Sequence, residues 1–493
     1  MWFRNDLRLQ DNRALYGASM RSKVGARCLI ALYIISEEEW EEHDEAAVKI
    51  DFWMRNLASL KTSLDKLAIP LVVKTAKHKT DVVGVVESVV REMDISHVFW
   101  NAELMIDERR RDAAVRKRLL KISNVRVEEC DDQCVVNPLE VRTKTGNPYA
   151  VFTPFYNTWC KLVETEPHYL ELSEAPDENP PEARELYVNY FKADVPSSHP
   201  HDLDIDEVNR LYPAGEEEAH NRVHAFIKTK GKVYHEGRNT PFQEGTSVMS
   251  PYISSGIISV RQCIVLARVA NNNKITTGNE GLKFWIKELG WREFYRNILV
   301  CFPRVCMNRA FQLKTEKVQW DENEENFQRW CDGKTGFPIV DAGMRQLNSI
   351  GFMHNRLRMI TACFLVKDLL IDWHKGERYF MQRLIDGDLA SNNGGWQWSA
   401  STGTDAQPYF RVFNPLLQSQ RFDPKGEYIR KWIPELRGLN DKQIHEPYHA
   451  LPSKEFLKLG YPTPIVDHAA AKKKYVDEFK RVLALDQSNV ASL

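Results

Sequence analysis

Long hydrophobic runs are missing from this sequence. No stretch of about 18 apolar residues occurs anywhere in it, which excludes a membrane-spanning helix. The opening residues, MWFRNDLRLQDNRAL, carry charges throughout and hold no apolar segment, so no secretory leader is expected in them. Cysteine is sparse: nine residues, with neither Cys130 and Cys134 nor Cys301 and Cys306 spaced as the CxxC pairs of a structural zinc site. A reducing compartment inside the cell, with most thiols simply buried, is the expectation. No GxGxxG follows a strand-like run, which argues against the usual dinucleotide pyrophosphate turn. CDGKTG has Gln328 where a phosphate-binding loop needs its first glycine, and HExxH and GxSxG are both absent. The histidines are scattered, so no metal site is expected.

What is present is divided unevenly. The formal charge is −1, yet residues 161–219 hold 16 acidic against 4 basic residues, a balance of −12 that leaves +11 on the rest. A basic body with one acidic segment is compatible with a polyanionic partner. Over residues 1–150, short runs rich in Val, Ile and aromatics (28–35, 70–75, 97–102 and 125–130) alternate with helical patterns such as 45–68 and 104–121. That alternation predicts an α/β domain, a parallel Rossmann-like sheet wrapped by helices. Residues 151–219 turn to Pro, Glu, Asp and Ser and read as a long surface connector. From 220 to 493 the pattern is helical almost throughout, predicting a larger all-α domain.

Three strings hold candidate site residues. In WIKELGWREFYR, Trp285, Glu288, Trp291, Arg292 and Tyr295 recur every three or four positions and share one side of a helix. Large rings with a carboxylate and a guanidinium suit a flat heterocycle, although taken alone these residues read more readily as a core stripe with a solvated ion pair. In MHNRLRM, Asn355 and Met359 are four apart beside Arg356 and Arg358. The third string, DGDLASNNGGWQWSASTGTD (386–405), shows neither helical nor strand periodicity. Its glycines permit a close backbone approach, and its amides and carboxylates can bind a polar ring.

Together with WFRNDLRLQDN and EGTSVMSPYISSG, these strings resemble the photolyase/cryptochrome family, and most closely its class I cyclobutane pyrimidine dimer photolyases. The likeness runs from residue 1 to about 435. It implies an antenna-binding α/β domain over 1–150, a connector over 151–219 and a helical domain over 220–493 that binds FAD and the DNA lesion. The implied FAD residues are Tyr234, Thr246, Ser247, Val248, Met249, Ser250, Trp285, Arg358, Asp386, Asp388 and Asn392, the last facing flavin N5. The active cofactor would be FADH⁻, and blue light would drive one electron from it into a flipped-out dimer, split the cyclobutane ring and return the electron.

By the same resemblance Trp291 and Trp398 flank the flipped dimer, Glu288 and Asn355 bind its pyrimidine edges, and Met359 packs beside it. Arg238, Arg292, Arg356 and Arg411 would meet DNA phosphates, and Trp396, Trp373 and Trp320 would relay electrons to the flavin. For the antenna, His43, Glu108 and Cys306 match folate-binding members, while Asp107 and Met307 replace an asparagine and a lysine. Methenyltetrahydrofolate is the expected antenna, with a deazaflavin or none as alternatives. A photolyase for (6-4) photoproducts is disfavoured, because such members carry histidines where Asn355 and Met359 stand. A signalling cryptochrome is the alternative function. The expected partner is UV-damaged double-stranded DNA, met by a monomer without a membrane. Its expected place is intracellular: nucleus or mitochondrion in a eukaryote, cytoplasm in a bacterium.

Overall fold

The computed structural model describes residues 1–490. It opens with strands β1 (Trp2–Phe3), β2 (Ala31–Ile35), β3 (Leu71–Thr75), β4 (His97–Asn101) and β5 (Arg126–Cys130). All ladders are parallel: β1 pairs with β2 (Trp2↔Leu32), β2 with β3 (Ala31↔Leu71), and β4 with β5 (His97↔Arg126). Strands β1 and β4 lie side by side, so the order across the two ladders is 3-2-1-4-5. Four strands fall on the apolar runs of the sequence. β1 does not, because two residues are too few to show a period.

Helices α1 (Arg13–Gly25), α2 (Ala47–Lys66), α3 (Val82–Glu92) and α4 (Ile106–Leu119) make the crossovers that parallel strands require. In α3, Val82, Val86, Val89 and Val90 recur at helical spacing and pack against Trp2, Leu32, Val72 and Trp100 of the sheet.

The acidic connector is not irregular throughout. It opens with α5 (Phe152–Thr165) and then runs over the surface with only short helical turns. It is pinned rather than loose: the buried Asn179 side chain bonds the backbone N–H and C=O of Leu29 and the carbonyl of Ala68. Charge composition could not reveal one buried amide doing this.

The rest is helical, as expected, and positions the site through α6 (Val260–Ala270), α7 (Glu280–Cys301), α8 (Asn355–Cys363), α9 (Trp373–Met381), α10 (Leu389–Ala400), α11 (Pro415–Phe422) and α12 (His468–Val490). A π-helical turn, Phe364–Asp368, follows α8. One apolar core joins the sheet to α5, α6 and α7, and a second surrounds α8 to α12.

Helix α10 corrects the reading of residues 386–405 as aperiodic: its sequence, LASNNGGWQWSA, is a 12-residue helix. Asp388 caps it by accepting from the Ser391 N–H at 3.1 Å, and Ser401 ends it in the left-handed region at φ 62°. Its apolar and polar residues do not segregate because it is enclosed on several sides, so no amphipathic period was there to read.

A buried ionic cluster bolts the α/β domain to the helices. Arg261 of α6, fully buried, donates to Asp11 at 3.0 Å and to Asp132, while Arg8 donates to Asp132 and to the Gly256 carbonyl at 3.1 Å. WFRNDLRLQDN therefore earns its place in the fold: Arg8 and Asp11 are interdomain fasteners.

Candidate active site and relay

Where the two apolar cores meet, a cavity of about 480 Å³ opens, lined by α7, α8, α10 and the 246–250 run. The helical spacing in α7 is what it promised: Trp285, Glu288, Trp291, Arg292 and Tyr295 all line this cavity. Trp291 is braced from behind by Phe152, ring centroids 3.5 Å apart and 7° from parallel. Glu288 pairs with Arg238 at 2.7 Å; burial pushes its carboxyl above the ordinary value, and Arg238 opposes that shift. From α8 and α10, Asn355, Arg358, Met359 and Trp398 complete the wall.

Opposite them stand the other expected residues. Tyr234, Thr246, Ser247, Val248, Met249 and Ser250 line the cavity, and the Trp285 indole donates to Ser247 Oγ at 3.3 Å. Val248 holds φ 49°, a strained conformation for a β-branched residue and the kind of strain that clusters at binding sites. Asp386 accepts twice from Arg358, at 2.8 and 2.9 Å. Burial alone would raise the Asp388 carboxyl, but the Arg296 and Arg292 guanidiniums and Ser391 hold it down at about 2. Arg296 reaches it at 2.9 Å.

The paired glycines have separate uses. A Cβ on Gly394 would stand 2.2 Å from the Tyr295 ring, so only glycine lets α10 approach α7. A Cβ on Gly395 would meet nothing within 4 Å; this glycine faces the cavity, where it leaves room for a guest. Asn392 is not among the lining residues. Its amide donates to the Glu377 carbonyl at 2.9 Å, which fixes its orientation one turn into α10.

The arginines divide. Arg356 is half-buried near the mouth and bonds Asn239 at 2.7 Å, and Arg411 is exposed on the loop after α10. Arg292, expected as a phosphate contact, lines the cavity and donates from one nitrogen to the Gln133 carbonyl at 2.7 Å. Its neighbour Glu293, buried and bonded to Val135 N–H, pairs with it.

Trp396 and Trp373 are buried and Trp320 is half-buried. A Cβ on Gly376 of α9 would meet Trp396 at 2.2 Å, so Trp396 lies directly on the helix that Trp373 begins. Asp321 N–H bonds the Leu370 carbonyl at 2.7 Å, which brings Trp320 beside the entry to α9.

At the α/β–helical boundary, His43 Nδ1 lies 3.7 Å from Glu108 and His43 Nε2 lies 3.9 Å from Asp107. Burial and the nearby Glu103 push Glu108 up to about 7, and its Oε2 is buried without a partner. Cys306, its thiol pushed up to about 11 by burial, adjoins Ile106, Glu108 and Asp107. Glu39 joins this group: one ligand atom each from Glu39, His43 and Glu108 fall within 4.8 Å of one another, an exception to the scattered histidines of the sequence.

Two residues escaped the sequence reading. His354 caps α8 by accepting from Arg356 N–H at 3.1 Å through Nδ1, which places the ring proton on Nε2. That Nε2 is buried without a partner, and the ring lines the cavity; burial and three nearby arginines push its pKa down to about 4. The cap signal, a polar residue before NRLRM, was available. Trp330, fully buried and 6.0 Å from Trp396 edge-to-face, carried no local signal.

The lining suits a large planar guest with polar edges: rings for faces, an orphaned imidazole N–H and paired carboxylates for polar atoms, and an open glycine for space. A family model described as DNA photolyase matches residues 1–179, and one described as the FAD-binding domain of DNA photolyase matches residues 285–481. The deoxyribodipyrimidine photo-lyase of Neurospora crassa is 45% identical over 98% of this chain and 82% of its own. The Escherichia coli enzyme of that name is 42% identical over 96% of each. The solved structure of a bacterial class III photolyase from Agrobacterium tumefaciens superposes with a TM-score of 0.82 at 32% identity, covering 98% of this chain and 97% of that one.

Proposed function

Because the chain belongs to the DNA photolyase family, we propose that its cavity binds FAD and repairs pyrimidine dimers in DNA as a light-driven lyase. One observation carries this reading: Trp291, Trp398, Glu288 and Asn355 share a single cavity with the Arg358–Asp386 pair and the 246–250 run. The 246–250 run, Arg358, Asp386 and Asp388 would hold FAD, which in its reduced form would supply the light-excited electron that splits the cyclobutane ring.

The chain's own residues do the rest. Photolyases are base-flipping enzymes, and a dimer turned out of the duplex meets Trp291 on one side and Trp398 on the other. Phe152 keeps Trp291 from yielding. Glu288, half-buried and countered by Arg238, binds the pyrimidine edge with Asn355, while Met359 fills the apolar side. Asn392, oriented by Glu377, serves the flavin face of α10. Trp396, Trp373 and Trp320 form the reducing relay. The protein acts as a monomer on UV-damaged duplex DNA inside the cell, in the nucleus or mitochondrion of a eukaryote or the cytoplasm of a bacterium. No helix among the described residues is long and apolar enough to cross a membrane.

Chemistry on (6-4) photoproducts is disfavoured, since positions 355 and 359 hold no imidazole, and His354, with Nδ1 committed to its cap and a pKa near 4, is no proton donor at neutral pH. For the antenna we propose methenyltetrahydrofolate, with a deazaflavin or none as alternatives; His43, Asp107, Glu108 and Cys306 lie together, and the unpartnered Glu108 Oε2 lacks a hydrogen-bond donor such as a pterin presents. The domain limits proposed are 1–150, 151–219 and 220–493.

The test is repair of a duplex containing one thymine dimer by photoreduced enzyme, in blue light against darkness. Light-dependent recovery of thymine absorbance is expected, and Glu288→Gln should lower it by the ~1.5–3 kcal/mol of a charged hydrogen bond, roughly ten- to over a hundredfold. No repair with fully reduced, bound flavin would overturn the lyase reading in favour of a cryptochrome.

A further inference from the structure

Among the described residues that line the cavity between the two cores, only His354 keeps a buried polar side-chain atom without a partner, its Nε2. The charged groups around it are already engaged. Glu288 pairs with Arg238, Asp386 with Arg358 and Asp388 with Arg296, and Arg292 donates to the Gln133 carbonyl. One open donor in a wall otherwise satisfied costs the flavin-free chain stability, and a guest that accepts from it removes that cost.

The ring is not free to turn elsewhere for a partner. Its Nδ1 accepts from Arg356 N–H at 3.1 Å, which leaves the proton on Nε2. The His354 carbonyl accepts from Leu357 N–H at 2.8 Å and from Arg358 N–H at 3.1 Å, in the first turn of α8. Behind it, the His354 N–H donates to Gln346 Oε1 at 3.5 Å, and that oxygen also accepts from the buried Tyr428 hydroxyl at 2.6 Å. Burial and the guanidiniums of Arg356, Arg358 and Arg238 hold the imidazole neutral, its pKa down at about 4. The ring therefore presents one fixed, uncharged N–H, which suits an acceptor and rejects a second donor.

Depth decides which guest meets it. Asn355, the next residue, is exposed at the mouth, whereas His354 is only 6% exposed. A base flipped in from DNA arrives past Asn355, and the group lying beneath it is the resident cofactor.

We propose that His354 is a cofactor-binding residue whose Nε2–H donates a hydrogen bond to an acceptor atom of FAD. The inference rests on the FAD reading above and deepens it. Helix α8 carries Asn355 and Met359 for the lesion, so a side chain that both caps α8 and holds FAD sets the lesion wall relative to the cofactor. Because the donor is locked before FAD arrives, little ordering remains to oppose binding.

Two substitutions separate the two ring nitrogens. His354→Asn keeps an oxygen that can cap α8 but reaches no donor to the Nε2 position, whereas His354→Gln carries an amide N–H to about that position and gives up the cap. FAD affinity is read on the full-length protein from the fluorescence of released flavin, and the cap from the urea midpoint of the flavin-free chain. His354→Asn should bind FAD roughly five- to fiftyfold more weakly at a midpoint no lower than wild type. His354→Gln should stay within about threefold of wild-type affinity while its midpoint falls. FAD affinity that follows the midpoint in both variants would overturn the proposal and leave His354 a cap alone. So would His354→Asn losing affinity for a dimer-containing duplex with FAD affinity intact, since the donor would then serve the lesion. A wild type that binds no FAD would instead count against the repair reading itself.

Discussion

Two buried polar clusters of this molecule look alike in composition and differ in what they leave over. In the interdomain bolt, Arg8 and Arg261 spend every guanidinium nitrogen on Asp11, Asp132 or a backbone carbonyl. In the cavity, His354 Nε2 has no partner, Glu288 has one cation and a raised pKa, and Gly395 faces open space. The first cluster is closed and can only hold the fold together. The second is unfinished, and what would finish it comes from outside the chain. Titration shows a related contrast between the bolt and Glu377, which is buried outside the cavity lining. Burial raises both Asp132 and Glu377, but two guanidiniums bring Asp132 down to about 2, while Glu377, bonded to the Asn393 amide, is left at about 7.

The strongest way to break the comparison is at Arg261. Arg261→Met leaves Asp11 and Asp132 short of a counter-ion in a fully buried place, a loss of ~3–5 kcal/mol. Urea unfolding should show a lower midpoint at unchanged slope. A smaller loss than Glu288→Gln causes would mean the bolt does not carry the interface. Conversely, Glu288→Gln should leave the midpoint within about 1 kcal/mol of wild type, since its partner Arg238 is not fully buried.

Glu377 sharpens the comparison through pH. Its folded pKa, about 7, lies above the ordinary 4.5, so the folded protein holds the proton more tightly. Its contribution to stability is complete below pH 4.5 and is lost as pH rises to about 7. Glu377→Gln keeps an acceptor for the Asn393 amide and cannot ionise. Wild-type stability should fall across that window by up to about 3 kcal/mol relative to the variant, as the linkage of a shift this size requires. Parallel stability curves for the two proteins would show that Glu377 is ionised throughout.

The sequence made the fold class legible because strand and helix periods alternate over the first 150 residues, and four of five strands stand on apolar runs. It made one wall of the cavity legible because α7 repeats its site residues every helical turn. The facing wall was hidden. Helix α10 is enclosed, so its polar and apolar residues follow three different neighbours rather than one period. A charge on the site face of α7 gives no hint that Arg292 also bonds Glu293 and the Gln133 carbonyl. Asn179 and the Arg261 bolt were invisible for the same reason: their partners are more than a hundred residues away. Local pattern reports faces, and it does not report which distant group meets them.

The smallest effect is also the cleanest separation of the two kinds of order. Gly394 and Gly395 are neighbours in one helix, with the same propensity cost, yet one packs on protein and the other on the guest's space. Gly394→Ala drives a methyl to 2.2 Å from the Tyr295 ring, and forcing α10 away from α7 should cost ~1–3 kcal/mol. Gly395→Ala meets no protein atom within 4 Å and replaces a helical glycine, so the apoprotein should gain up to ~1 kcal/mol. The same methyl intrudes on the cavity, so flavin should bind more weakly to this more stable protein. Thermal unfolding of the apoprotein and flavin titration, run on both variants, separate the cases. Stability and flavin affinity moving together in Gly395→Ala would show that the open face of α10 belongs to the fold and not to the site.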